Sequence, residues 1–344
     1  MTHLSPQLIR TFNSLFNNFD HHFIIYLHKG DSAEKYQDLL DNKKFNISII
    51  NKTSELKHLI NKKDSVLLHS LMPEVSLYLI SHFYSKVSVV CWGSGIKLVN
   101  LKNYILYPVK LLIYHSYRYM ITLMEPDKNY LKKVYFIKNI LNQPYIGERE
   151  KVLSEYLKER EFAANDRTAP NNLIYIGNNS SCKESYLFLA KNYLSRIGDE
   201  LNVQFMLHYD YDPNDSIYSE IENICKDRFK SFSFNTNFYN LYEYARYIDK
   251  CQVYICGESR QTGLGAIYTA IRLGKKIYLN GNNYDWIISL GCKIHHINEL
   301  RHVTINQLLE PENMDIIINN SKIIDRLESF ENKIKGWNRA LSDL

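Results

Sequence analysis

The sequence predicts an α/β protein of two doubly wound lobes, each a parallel sheet flanked by helices, with an interdomain cleft. Three observations predict it. At 344 residues the chain exceeds the size at which one core usually stops growing, so two domains are expected. Short runs of Val, Ile, Leu, Phe and Tyr alternate with helix-length amphipathic segments, and that alternation stops and restarts once. The strand-like runs also lack polar–apolar alternation, as strands buried on both faces do.

In chain order, the first lobe's strand-like runs are Phe23–Leu27, Ile47–Ile50, Val66–Leu68, Val87–Cys91, Met120–Leu123 and Val134–Ile137. Pro73–Tyr84 and Val99–Tyr117, which lie between them, carry apolar residues at helical spacing. Glu148 to Asn172 is charged and then polar, and reads as a connection. The alternation restarts with Leu173–Ile176, Val203–Leu207, Phe232–Phe234, Val253–Cys256 and Lys276–Leu279, and a final helix runs from about Ile323 to Leu341. The expected organisation is therefore a domain at 1–150, a second at 171–320, and a terminal helix at 321–344 returning to the first.

Hydrophobic residues make up 45% and charged residues 23%, ordinary for a globular protein. The formal charge of +5 is mild for this length, which argues against a nucleic-acid partner. The cations cluster, however. From Lys97 to Lys138 lie Lys97, Lys102, Lys110, Arg118, Lys128, Lys132, Lys133 and Lys138, opposed only by Glu125 and Asp127. That stretch is either a solvated face or a contact for an anionic membrane surface. The six cysteines have no zinc-site spacing and several sit in apolar runs, as reduced core cysteines do. Met1 to Asp20 lacks a signal pattern and no apolar run reaches ~18 residues, so membrane contact is expected to be peripheral.

In open α/β sheets ligands sit outside the strand C-termini, so the loops there carry the chemistry. Ile176-Gly177-Asn178-Asn179-Ser180-Ser181 follows the first strand of the second lobe. Small polar residues before a helix let backbone N–H groups approach an anion, although an ordinary turn capped by Ser181 is the simpler alternative. Gly257-Glu258-Ser259-Arg260-Gln261-Thr262-Gly263-Leu264-Gly265 is more informative. Gly263 and Gly265 open a helix where a pyrophosphate could lie, Arg260 can neutralise a leaving diphosphate, and Glu258 or Gln261 can take sugar hydroxyls. Asp210-x-Asp212 invites a metal, but Pro213-Asn214-Asp215 beside it makes an ordinary helix start, and no metal or other cofactor is expected. In the first lobe His69 ends a strand and could act as general base, with His28 as competitor, and Trp92-Gly93 follows the fourth strand.

These loops, in this order, resemble the TDP-N-acetylfucosamine:lipid II N-acetylfucosaminyltransferases (4-α-L-fucosyltransferases) of enterobacterial common antigen synthesis, a GT-B glycosyltransferase family. The matching pieces are His69, Trp92-Gly93, Tyr107-Pro108, Gly177-Asn178, and Tyr211 with Pro213-Asn214 and Tyr218. Arg260-Gln261 with Gly263 and Gly265, Asn280 with Asn283 and Trp286, and Gly336-Trp337 with Arg339-Ala340-Leu341 complete them. Gly95, and Ser181-Cys182 after Gly177-Asn178, depart from the family pattern.

The resemblance implies two Rossmann-like lobes in the GT-B arrangement. It also implies a TDP-linked deoxyamino sugar as donor and a polyprenyl-diphosphate oligosaccharide as acceptor, at the cytoplasmic face of the bacterial inner membrane. Gly177, Asn178, Tyr211, Arg260, Gln261, Gly263, Gly265 and Asn280 would then bind the nucleotide sugar. His69, Glu258 and Arg260 would serve catalysis, and Trp92, Gly93 and Lys97 would face the acceptor. A nucleotide-sugar 2-epimerase of the same two-lobe fold and a non-enzymatic two-lobed sugar-binding protein are the alternatives.

Overall fold

Non-alternating apolar strands should pair in parallel, and every described pairing is parallel. The computed structural model describes residues 6–27, 32–61, 64–83, 86–91, 96, 98, 101–146, 149–162, 172–177, 182–196, 200–207, 211–226 and 228–343. The chain divides into two units, Met1–Gly147 with Phe330–Leu344, and Glu148–Ser329.

In the first unit β1 (Phe23–Tyr26) and β2 (Ile47–Ile50) form a separate pair. A four-stranded sheet follows the order β3 (Val66–His69), β4 (Val87–Cys91), β5 (Met120–Thr122), β6 (Ile140–Asn142). Every residue of β4 is buried. Val87, Val89 and Cys91 pack with Leu131 and Tyr135 on one face. Val90 points the other way, into a cluster with Phe12, Phe16 and Trp337. Trp337, on the terminal helix Phe330–Ser342, is fully buried and donates Nε1–H to Pro144 O at 2.9 Å.

The second unit is a six-stranded sheet of β7 (Leu173–Ile176), β8 (Asn202–Met206), β9 (Ser231–Asn235), β10 (Val253–Cys256), β11 (Lys276–Leu279) and β12 (His295–His296). Its order is β12-β11-β10-β7-β8-β9. From β7 the chain winds outward through β8 and β9, then returns to the far side of β7 to lay down β10, β11 and β12. The strand order therefore reverses between β7 and β10, and that is the sheet's topological switch point.

Four expectations change. Val134–Ile137 is not a strand: Val134 and Tyr135 end the helix Glu125–Tyr135, and the strand is Ile140–Asn142. Leu131 and Tyr135, four apart, bury together, and a short apolar run at a helix end looks like a strand by composition alone. Val99–Tyr117 is two helices, Leu101–Ile105 and Tyr107–His115, because Pro108 fits only the first turn of a helix. The connection expected at 148–172 contains the helix Arg149–Phe162, held to the helix Leu241–Asp249 by Tyr156 Oη donating to Asp249 at 2.9 Å and by an Arg160–Asp249 ion pair. The final helix is likewise two, Met314–Glu328 and Phe330–Ser342, parted at the non-helical Ser329. All six cysteines are buried thiols, and among the described residues no helix is long and apolar enough to cross a membrane.

Candidate functional site

Gly177 leaves β7 at φ +81°, and a Cβ there would lie 2.0 Å from the ring of Tyr186. Only glycine lets the backbone pass so close in that conformation. Gly177 N–H donates to Ile255 O at 2.7 Å, and the hydroxyl of buried Tyr254 donates back to Gly177 O at 3.1 Å. Tyr186 in turn donates to Met206 O at 2.9 Å. Gly177 is thus locked to β10, and Tyr186, on the helix Lys183–Asn192, to β8. Asn178 lies outside the described residues.

The loop after β10 meets that helix. A Cβ on Gly257 would lie 2.9 Å from Leu189 and 3.0 Å from Ser185 Oγ. Gly263, at φ +60°, is the N-cap of the helix Leu264–Arg272, and Gly265 is that helix's second residue. Within the loop Arg260 pairs with Glu258: Nε donates to Oε1 at 3.2 Å, a second guanidinium nitrogen to Oε2 at 3.4 Å, and the Arg260 backbone N–H to Oε1 at 3.3 Å. Glu258 is nearly buried, while Arg260 is 40% exposed. The hydrogen bond to Glu258 raises the Arg260 pKa further, and Glu184 at the start of the neighbouring helix contributes to the same field.

The turn after β11 holds this loop from beneath. Asn280 Nδ2 donates to Gly257 O at 3.0 Å. Gly281, at φ +50°, lets Ser259 approach so closely that a Cβ would lie 2.3 Å from its carbonyl oxygen. Fully buried Asn283 accepts from Thr262 N–H at 3.4 Å and donates to Thr262 O at 2.9 Å. Trp286 donates to Tyr268 Oη at 2.8 Å. Asn280, Asn283 and Trp286 therefore build the loop, a scaffolding part that residue type alone does not reveal.

Three glycine-bearing turns thus converge at the switch point, with the N-termini of Lys183–Asn192 and Leu264–Arg272 and the guanidinium of Arg260. Helix N-termini carry unsatisfied N–H groups and partial positive charge, so this edge favours an anion. Two buried polar atoms there, Ser185 Oγ and Gln261 Oε1, lack a hydrogen-bond partner among the described residues.

Beyond β8, Tyr211 is half-buried and packs edge-on against Tyr218, ring centroids 4.9 Å apart. Asp212 Oδ1 accepts from Asn214 N–H at 3.0 Å and from its side-chain amide at 3.2 Å. Asp215 caps the helix Ser216–Cys225, accepting from Ile217 N–H at 3.0 Å, and also binds Lys183. The Lys183–Asp215 pair ties that helix to the start of the helix Lys183–Asn192, and the sequence alone gave no signal for it. Asp210 is outside the described residues.

In the first unit His69 ends β3, with Nδ1 2.8 Å from Tyr145 Oη. Its ring stacks on Tyr145 (5.8 Å, 17°), which stacks on Trp337 (5.9 Å, 16°), and Phe12 meets the imidazole edge-on. His69 is half-buried by area, but this aromatic enclosure desolvates the ring and pushes its pKa down to about 4. Ser70, next in the chain, is held at φ +126°, which a non-glycine residue rarely adopts. His28, Trp92, Gly93 and Lys97 lie outside the described residues.

The two parallel α/β units have the GT-B fold. The N-terminal domain of trehalose-6-phosphate phosphatase from Candida albicans is similar, with TM-score 0.64 and 9% identity over 97% of this chain and 93% of that one. An α,α-trehalose-phosphate synthase (UDP-forming) from Burkholderia vietnamiensis matches at TM-score 0.58 and 7% identity, covering 84% of this chain and 77% of its own. A TarM mutant from S. aureus, in complex with fondaparinux, α-GlcNAc-glycerol and UDP, matches at 0.53 and 12%, covering 83% and 57%. No family model matches the sequence, and no curated protein does. Identities this low establish the fold, and a fold shared with a protein named for a phosphatase leaves activity to be argued from the loops.

Proposed function

We propose that the protein is a glycosyltransferase that uses a nucleoside-diphosphate sugar, bound at the β7–β10 switch point of the second unit. The observation that carries this reading is the meeting of Arg260 with two helix N-termini at glycine-lined turns. Structural neighbours described as UDP-forming or as complexed with UDP support it. Transfer requires stabilisation of the departing diphosphate, which fixed N–H groups and a guanidinium supply. Glu258 orients Arg260, Gln261 and the Gly177 turn face the donor, and Tyr211 and Asn280 shape the pocket's edges. In the first unit, with Nδ1–H donated to Tyr145, His69 Nε2 would take the proton of the acceptor hydroxyl. Its pKa near 4 keeps the imidazole neutral at physiological pH.

The finer reading rests on the resemblance in the loops. The donor is a TDP-linked, fucose-like deoxyamino sugar and the acceptor a polyprenyl-diphosphate oligosaccharide, with the enzyme peripheral on the cytoplasmic face of the bacterial inner membrane. A thermal-shift series with TDP, UDP, GDP and CMP tests the donor. At a hundred times its dissociation constant a ligand adds about 2.7 kcal/mol, roughly 5–10 °C in Tm for a domain of this size. TDP is expected to give the largest shift and CMP none. A flat response to all three diphosphates would end the transferase reading.

A further inference from the structure

The first unit turns an apolar surface outward. Tyr104, Ile105, Leu106, Val109 and Leu112 are 60%, 68%, 39%, 47% and 72% exposed, and all lie within one nine-residue stretch of the helices Leu101–Ile105 and Tyr107–His115. The helix Tyr107–His115 buries Tyr114 in the core while Val109 and Leu112, three apart, face away from it. Scattered apolar residues on a surface need no explanation, but a contiguous set on one short element does. The stretch carries a single charge, Lys110, which is half-buried, bonded to Asn103 Oδ1 at 2.8 Å, and held below its ordinary pKa by burial.

Cations stand on the neighbouring helix end. Tyr107 Oη donates to Val134 O at 2.7 Å and His115 Nε2 lies 2.9 Å from Tyr135 O, so the end of the helix Glu125–Tyr135 is fixed against the helix Tyr107–His115. That end presents exposed Lys132 and Lys133, then Phe136, 67% exposed at φ +57°, and exposed Lys138. A bulky aromatic at a left-handed helix cap is unusual, since glycine or asparagine serves there without strain. An apolar ridge with exposed lysines on the adjoining helix end matches the two layers of an anionic bilayer, headgroups around acyl chains.

We propose that Ile105, Leu106, Val109 and Leu112 insert into the acyl boundary of an anionic bilayer, with Lys132, Lys133 and Lys138 at the headgroups. This deepens the membrane-peripheral part of the reading above but is independent of its chemistry, because vesicle binding requires no turnover. Insertion differs from electrostatic adsorption in its salt response: screening removes the attraction of lysines for headgroups and leaves the burial of side chains.

The test is sedimentation of the full chain with phosphatidylglycerol-containing and pure phosphatidylcholine vesicles, at low and high salt. Binding to the anionic vesicles is expected to weaken with salt but to persist. Val109→Ser with Leu112→Ser, both exposed and therefore harmless to the core, should lower the partition constant about a hundredfold, roughly tenfold per side chain. Leu112→Trp should show a blue-shifted emission on vesicles. Binding abolished by salt and unaffected by the double serine variant would mean adsorption only and overturn insertion. A wild-type dimer in sedimentation velocity that the serine variant converts to monomer would assign the ridge to a second copy instead. Nucleotide-induced thermal shifts should be the same in wild type and the serine variant, which separates failure here from failure of the donor site.

Discussion

Arg260 and Glu258 lie two residues apart, and their pairing decides what each is free to do. By residue type Glu258 could take a sugar hydroxyl, but its carboxylate already receives three N–H groups from Arg260. The carboxylate therefore acts on the guanidinium, fixing its plane, while the Arg260 side chain is 40% exposed. Arg260→Ala should retain the fold and weaken nucleoside-diphosphate binding about tenfold to a hundredfold, the worth of a charge-assisted contact. Isothermal titration with TDP checks this. A variant that binds and turns over like the parent removes Arg260 from the site. The placement of Arg260 in a glycine-bearing loop after a buried strand was legible in the sequence, because the apolar run Val253–Cys256 and the glycines that follow it mark a strand end and a helix start. The role of Glu258 was not legible, because two residues of one loop can pair or diverge and only the backbone path decides.

At the scale of elements, the terminal Gly336-Trp337 changes meaning once the packing is known. Trp337 backs Tyr145, and the Tyr145 hydroxyl meets His69, so the last helix supports the strand-end histidine through a column of stacked rings. Gly336 permits that approach: a Cβ there would lie 1.9 Å from Gln143 Oε1, and Gln143 is held by its own bond to Lys333 O at 3.1 Å. Gly336→Ala should therefore cost about 1–3 kcal/mol of stability through overpacking, enough to lower Tm measurably by scanning calorimetry. An unchanged Tm would mean the helix shifts freely and does not constrain His69. The strands themselves could be read directly, Ile47–Ile50, Val87–Cys91, Leu173–Ile176, Val253–Cys256 and Lys276–Leu279 among them, since a parallel strand buried on both faces leaves a compact apolar run. Val134–Ile137 misled for the same reason, because a buried helix end leaves one too.

For the whole molecule, the periodicity of the sequence carries the two-unit α/β plan, and the order of the second sheet follows from where the chain turns back beside β7. Contacts between distant segments stay hidden from it, such as Gly177 against Tyr186 or Asn283 beneath Thr262, because they depend on tertiary approach. The same limit applies to metal use: Asp210-x-Asp212 has the spacing of a cation site, and only packing says what its carboxylates are engaged in. Asp212 is occupied by Asn214 in a local turn, and Asp215 both caps a helix and binds Lys183, which together with that cap holds its pKa below the usual carboxylate range. On the proposed reading, charge on a leaving diphosphate would fall to Arg260 and the two helix N-termini. Transfer is therefore expected to continue unchanged after exhaustive EDTA treatment, and Asp212→Asn should fold and bind nucleotide as the parent does. Activity lost in EDTA and restored by Mn²⁺, together with an inactive Asp212→Asn, would instead place a divalent cation at the loop after β8.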